Sequence, residues 1–206
     1  MEAQQKTEII TIARKMMVTL GVKSIRMDDV ARAAHVSKRT LYEEFGDKEE
    51  LIFLAAREHF ELFEHSNYKA AENAPNILVA ILIVMEEIRK NADVNWQIRN
   101  SLRHFYPKVN ERILSDKADI KRKIVANSIK IGVEDGYIDS RINIDLTMNM
   151  FSYIAIGITE NNDMINIPIE MTINDAFQEV LINYIRGIST IKGVEAIDEY
   201  LAKNKK

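Results

Sequence analysis

Val30-Ala31-Arg32-Ala33-Ala34-His35-Val36-Ser37-Lys38-Arg39-Thr40-Leu41-Tyr42-Glu43-Glu44-Phe45 is the stretch whose reading decides the fold. It reads as two short helices joined by a tight turn. Val30, Ala33 and Ala34 give the first helix a small apolar face, and Val36, Leu41 and Phe45 give one to the second. Ser37, Lys38, Arg39, Thr40 and Tyr42 are left as a polar, basic edge, expected to have nothing of the chain's own to pair with. A compact helix pair that presents hydroxyls, an ammonium and a guanidinium on one edge suits a nucleic-acid groove.

Outward from this pair, helical patterning continues in both directions. Ile9, Ile12/Ala13, Met16 and Leu20 are spaced for a helix over residues 3–20, and Gly21 is suited to end it. Asp28 is expected to cap the first helix of the pair and Ser37 the second. Gly46 stops the second, and Asp47 with Glu50 reads as a capping box for a long helix that fades before Pro75. Beyond Pro75 the pattern predicts helices over 77–90, about 94–105, 107–135, 145–161, 172–188 and 193–203. Asn161, Asn162, Asp163 and Pro168 mark a loop, and 203–206 a solvated tail. Neither a repeat nor a convincing strand pattern interrupts this.

Composition fits. The chain has 206 residues, is 47% hydrophobic and 29% charged, and its seven Gly and three Pro leave long stretches free to be helical. It has no Cys, which excludes disulfides, thiolate metal sites and Cys nucleophiles. The N-terminal stretch lacks the apolar run of a signal peptide, and Ile77 to Met85 is too short to span a bilayer. A cytoplasmic location and no membrane partner are expected. Net charge is −3, which at face value argues against nucleic acid. Its distribution reverses that: residues 23–39 hold five basic and two acidic side chains, whereas 51–206 hold nineteen and twenty-two.

The first ~55 residues resemble the DNA-binding head of the TetR family of helix-turn-helix transcriptional regulators. The resemblance rests on Gly21, Val30-Ala31, Ala34, Val36-Ser37, Thr40-Leu41-Tyr42, Phe45 and Asp47-Lys48-Glu49-Glu50-Leu51, matched together at fixed offsets. It implies a homodimer on a palindromic operator, with double-stranded DNA as partner and a possible small-molecule effector in the C-terminal body. Carried over residue by residue, it puts Ser37, Lys38, Arg39, Thr40 and Tyr42 against DNA and Lys48 on a phosphate. Three positions depart from the pattern. His35 stands where the turn often has Gly, Met27 where a hydroxyl often contacts phosphate, and Glu43-Glu44 where aromatic or basic residues are common. The two carboxylates either face away from the phosphates or one accepts from a cytosine amino group.

In the body, Met85, Trp96, Arg99, His104, Phe105, Tyr106, Met150 and Tyr153 are expected to lie inward and line an effector pocket. Leu146, Met150, Tyr153, Ile154 and Gly157 form one apolar stripe; Phe177, Val180, Leu181, Tyr184, Ile185 and Ile188 form another. These stripes exceed what one helix-on-body contact needs and suggest a four-helix dimer interface. No catalytic constellation emerges: His35, His59, His65 and His104 are scattered, and Glu43-Glu44 and Glu86-Glu87 are adjacent pairs that diverge on a helix. No enzyme activity, metal or cofactor is expected.

The reading is therefore an all-α chain of about nine to ten helices. Residues 1–50 form a three-helix helix-turn-helix DNA-binding domain and 51–206 a larger helical effector-binding and dimerisation domain. The function expected is a transcriptional regulator, a repressor released by an effector. The alternative is a nucleoid-associated or partner-recruiting DNA-binding protein without an effector.

Overall fold

The computed structural model describes residues 2–116, 118–160, 168 and 170–204. Among them the chain is all-helical, with eleven α-helices and no strand beyond an isolated Ile138–Ser189 bridge. The helices are α1 Ala3–Leu20, α2 Met27–Ala33, α3 Lys38–Phe45, α4 Lys48–Ala71, α5 Ile77–Lys90 and α6 Ala92–Phe105. They continue with α7 Pro107–Ser115, α8 Ala118–Glu134, α9 Ile144–Glu160, α10 Ile173–Gly187 and α11 Ile191–Asn204. The expected loop over 161–167 and the tail end 205–206 lie outside the described residues.

The chain divides into two compact units. The first comprises residues 1–66 and 91–116, the second 67–90 and 117–206. Each has its own apolar core.

In the first unit, α1 buries Ile9, Ala13 and Met17. This is one seam at i, i+4, i+8; Leu20, expected on the seam, is instead exposed. Gly21 ends the helix at φ 82°, a conformation open to glycine. A 3₁₀ turn, Val22–Ser24, then buries Val22 against the same core. Helix α2 begins two residues earlier than an Asp28 cap would have it. Met27 is its first residue and is buried; Arg26 is the N-cap, so Asp28 and Asp29 lie in the first turn and do not cap. Burial of Met27 favours this start, and the two carboxylates still meet the positive helix end. The buried face of α2 is Met27, Val30 and Ala31, while Ala33 turns outward.

Ser37 caps α3, its hydroxyl accepting from the Thr40 N–H at 3.0 Å. Gly46, at φ 76°, ends α3 and lets the chain turn into α4. Asp47 accepts from the Glu50 N–H at 2.8 Å, but the Glu50 side chain does not return to complete the box. It takes Arg112 of α7 at 2.6 Å instead, a bond in which both partners are charged.

In the second unit, α5 buries Leu78, Val79, Leu82 and Met85, and packs against α8, α10 and α11. Thr172 and Asp175 close a reciprocal capping box at the start of α10. The single helix expected over 107–135 is two. Asp116, at φ −61° and ψ 120°, is extended, and the Ser115 hydroxyl bonds back to Glu111 and Arg112 carbonyls. No Gly or Pro marks this break; the Ser115 hydroxyl bonding back to the last turn accompanies it.

Candidate nucleic-acid interface

Helix α3 owes its orientation to two side chains. Leu41 is fully buried and Phe45 nearly so, one turn apart on the face that meets the core of the first unit. Val36 packs beside them, half-buried. Burying a side chain of this size contributes roughly 1.5–3 kcal/mol, so the register of α3 is fixed by its inner face. The remaining positions point outward as a consequence.

The turn before α3 holds His35 at φ 55°, left-handed backbone in a residue other than glycine. Ser37 and Lys38 are exposed, and Thr40 is half-buried with its hydroxyl 2.7 Å from that of Ser37. Arg39 is 87% exposed. Tyr42 is exposed. Lys48 opens α4, half-buried, its ammonium 5.6 Å from the centre of the Tyr106 ring. All six residues expected to meet DNA thus lie in the first unit. Five sit on or beside α3, and Lys48 sits on the next helix start, where backbone N–H groups favour an anion.

The cations of this edge are not bare. Lys38 Nζ lies 3.0 Å from Asp28, whose carboxylate holds its pKa above the usual lysine value. Arg39 Nε donates to Glu43 Oε1 at 2.7 Å. Arg32 meets Asp29 at 3.5 Å. The two glutamates part company: Glu44 turns back to Lys6 of α1 at 2.8 Å, which holds its carboxyl below the usual range, while Glu43 stays outward with Arg39. Met27 lies in the core and offers no polar atom to a phosphate.

The expected pocket residues divide between the two units. Trp96, Arg99, His104, Phe105 and Tyr106 belong to the first unit, and Met85, Met150 and Tyr153 to the second. Trp96, His104 and Phe105 are exposed, not inward; Arg99 lies 5.0 Å over the Phe60 ring, and Tyr106 packs on the core under the helix pair. Met150 and Tyr153 are exposed on α9. The second unit instead has a cleft of about 830 Å³ between α5, α10 and α11. Leu82, Met85, Ile182 and Leu201 supply apolar lining, and Glu86, Arg89, Lys90, Gln178 and Tyr200 supply polar groups. Of the eight expected residues only Met85 lines it. Arg89 grips Glu86 at 2.8 and 3.1 Å and holds that carboxyl below its usual value. Burial, then the Glu86 charge, pushes the Tyr200 phenol up. The residues of α10 and α11 that line the cleft were missed. The only signal for them was that α11 packs along α5, a tertiary fact absent from local spacing.

The expected dimer residues also divide. Leu146, Tyr153 and Val180 are exposed and available. Leu181 is buried in its own unit's core and Phe177 packs on that core, so neither projects from the surface. Tyr184 is half-buried and donates to the Thr147 carbonyl at 2.8 Å, and Ile188 is half-buried. Ile154 and Gly157 fall on α9, but their side chains lie outside the described residues. Among the described residues no group of His, Cys, Asp and Glu could hold a metal, and no helix is long and apolar enough to cross a membrane.

Comparison with known proteins agrees with this geometry. Residues 9–55 match the family model described as bacterial regulatory proteins, tetR family. No match was found among curated proteins. Among solved structures, a putative transcriptional regulator from Saccharomonospora viridis in complex with choline is 15% identical at a TM-score of 0.66, covering 92% of this chain and 100% of that one. The fatty acid degradation regulator FadR from Bacillus halodurans is 16% identical at 0.61, covering 91% and 97%. RolR in complex with resorcinol is 17% identical at 0.60, covering 96% and 93%. At these identities the likeness is one of fold along nearly the whole chain. Over residues 9–55 the head is similar to that of the tetR family.

Proposed function

We propose that this chain, with the head and fold of a TetR-type transcriptional regulator, is a sequence-specific repressor that a small-molecule effector releases from a palindromic operator. The observation that carries the reading is the outward edge of α3: a helix fixed by Leu41 and Phe45 that presents Lys38, Arg39 and Tyr42 to solvent. Residues 1–50 act as the DNA-binding domain and 51–206 as the effector-binding and dimerisation domain. Ser37, Thr40 and Lys48 position the head on phosphates, and Lys38, Arg39 and Tyr42 reach base edges. Two copies pair through exposed residues of α9 and α10, among them Leu146, Tyr153 and Val180. The protein works in the cytoplasm.

The cleft between α5, α10 and α11 is where an effector would bind, and its apolar lining with a polar rim suits a small organic molecule. Solved relatives in fold that hold choline and resorcinol lend this reading weight over the partner-recruiting alternative.

The test is selection of bound sites from random duplex DNA, followed by a screen for molecules that abolish binding to the winner. A palindrome should emerge, with affinity falling steeply as salt rises. Arg39→Ala should relax preference at one base pair per half-site, whereas Lys48→Ala should weaken binding almost uniformly and reduce the salt slope by about 1. Enrichment of no palindrome would sink the reading.

A further inference from the structure

We propose that Glu43 is a specificity-determining residue: its carboxylate aims the Arg39 guanidinium, and the pair reads one base pair where Arg39 alone would read it poorly. This rests on the DNA-binding reading above. Arg39 and Glu43 stand one turn apart on the outward face of α3, 87% and 60% exposed, and neither touches the core. Arg39 donates through Nε to Glu43 Oε1 at 2.7 Å. No other contact holds either side chain among the described residues.

The choice of nitrogen matters. A guanidinium is a rigid planar fork of five N–H donors. With Nε committed to the carboxylate, the two terminal nitrogens remain as a coplanar pair directed away from Glu43. A coplanar pair is what guanine O6 and N7 accept. An unanchored arginine in the same place has four rotatable bonds to freeze on binding. It can also swing to a phosphate, where it carries no sequence information.

Stability does not account for the pair. Exposed ion pairs contribute little, and the order here, base before acid along the helix, is the weaker of the two i,i+4 orientations. Affinity does not account for it either. A carboxylate on an edge that faces phosphates opposes binding of every sequence alike. The neighbouring Glu44 is turned back to Lys6, which leaves Glu43 as the one carboxylate of α3 held outward. Its presence costs general affinity, and discrimination is what it returns.

The experiment is site selection from random duplex DNA with the full-length chain, Arg39→Ala, Glu43→Ala, Glu43→Gln and the Arg39→Ala/Glu43→Ala double variant. Binding of each to a random-sequence duplex is measured alongside. Glu43→Ala should lose about fivefold or more of the discrimination at the same position that Arg39→Ala flattens. Glu43→Gln should keep part of it, because the amide oxygen still accepts from Nε. Both Glu43 variants should bind the random duplex more tightly than the parent, since both lose the charge. In the Arg39→Ala background, Glu43→Ala should change no base preference. Unchanged preference in Glu43→Ala, with the parent enriching its palindrome, overturns the proposal. So does a change at a different position, which would mean that Glu43 reads a cytosine itself. If the parent enriches no palindrome, the DNA-binding reading fails and this proposal with it.

Discussion

The two units of this chain were built under different constraints. In the first, each outward side chain of α3 follows from two inward ones, Leu41 and Phe45, and from local caps at Ser37 and Asp47. In the second, burial follows from which helices meet: α5 is covered by α8, α10 and α11, and α10 and α11 together form the cleft beside α5. A functional edge is therefore a property of one short segment in the first unit, and of several distant segments in the second. The residues expected to serve DNA lie in one unit, whereas those expected to serve an effector divide between the two.

The largest effect that can break this comparison lies in the second unit. Leu181 and Leu146 belong to the two apolar stripes that sequence alone assigned to one interface, yet Leu181 is 1% exposed and Leu146 60%. Leu181→Ala should destabilise the fold by about 2–5 kcal/mol, through lost burial and the cavity left behind. Leu146→Ala should leave the fold within about 0.5 kcal/mol and weaken self-association instead. Denaturant unfolding at several protein concentrations, with sedimentation alongside, separates the two, because dimer stability depends on concentration. Equal losses of fold stability would show that α9 and α10 bury both stripes.

What was legible in the sequence tracks this division. The bounds of α1 and α5 and the Ser37 cap follow from local rules, and so does the turn to α4 at Gly46. Met27 shows where local rules stop. Asp28 is the better cap by residue type, yet burial of Met27 puts the cap at Arg26, two residues earlier. Glu50 shows it again, since its half of a capping box goes to Arg112, sixty-two residues away. Trp96 and Phe105 are expected inward as large aromatic residues, but the inner face of α6 is taken by Ile98 and Leu102. The fold was legible as helices, and the edge of α3 as a surface. The division of apolar residues between core, cleft and exposed stripe was not, because it depends on α11 and on the break at Asp116.

A smaller effect sharpens the comparison from the side of the first unit. His59 on α4 is paired with Asn95 of α6 at 2.8 Å, and burial holds its pKa below the ordinary 6.5, with the Arg14 charge adding to the shift. The neutral ring is favoured in the folded state. As pH falls below 6.5 the unfolded chain takes up the proton first, so stability present above 6.5 is lost on acidification. The melting temperature should decline through this window, and His59→Gln, which keeps a hydrogen-bonding partner for Asn95 and removes the titration, should flatten the decline. An unaltered slope would place the acid sensitivity elsewhere.

The smallest effect concerns the turn that aims α3. His35 holds φ 55°, a conformation that costs an L-residue roughly 1–2 kcal/mol, less for the few types that tolerate it. Glycine would relieve that strain but adds about 0.5–1 kcal/mol of unfolded-state entropy. The two terms nearly cancel, so His35→Gly should change stability by less than about 1 kcal/mol, with the sign on the stabilising side. The ring is exposed, and nothing in the first unit's core depends on it. Denaturant unfolding of the variant decides between strain and contact. A gain or no change means that Leu41 and Phe45 impose the turn and His35 merely endures it. A loss well above 1 kcal/mol means that the imidazole itself stabilises the turn, and that the order of constraint proposed for the head, from inner face to outer edge, runs partly the other way.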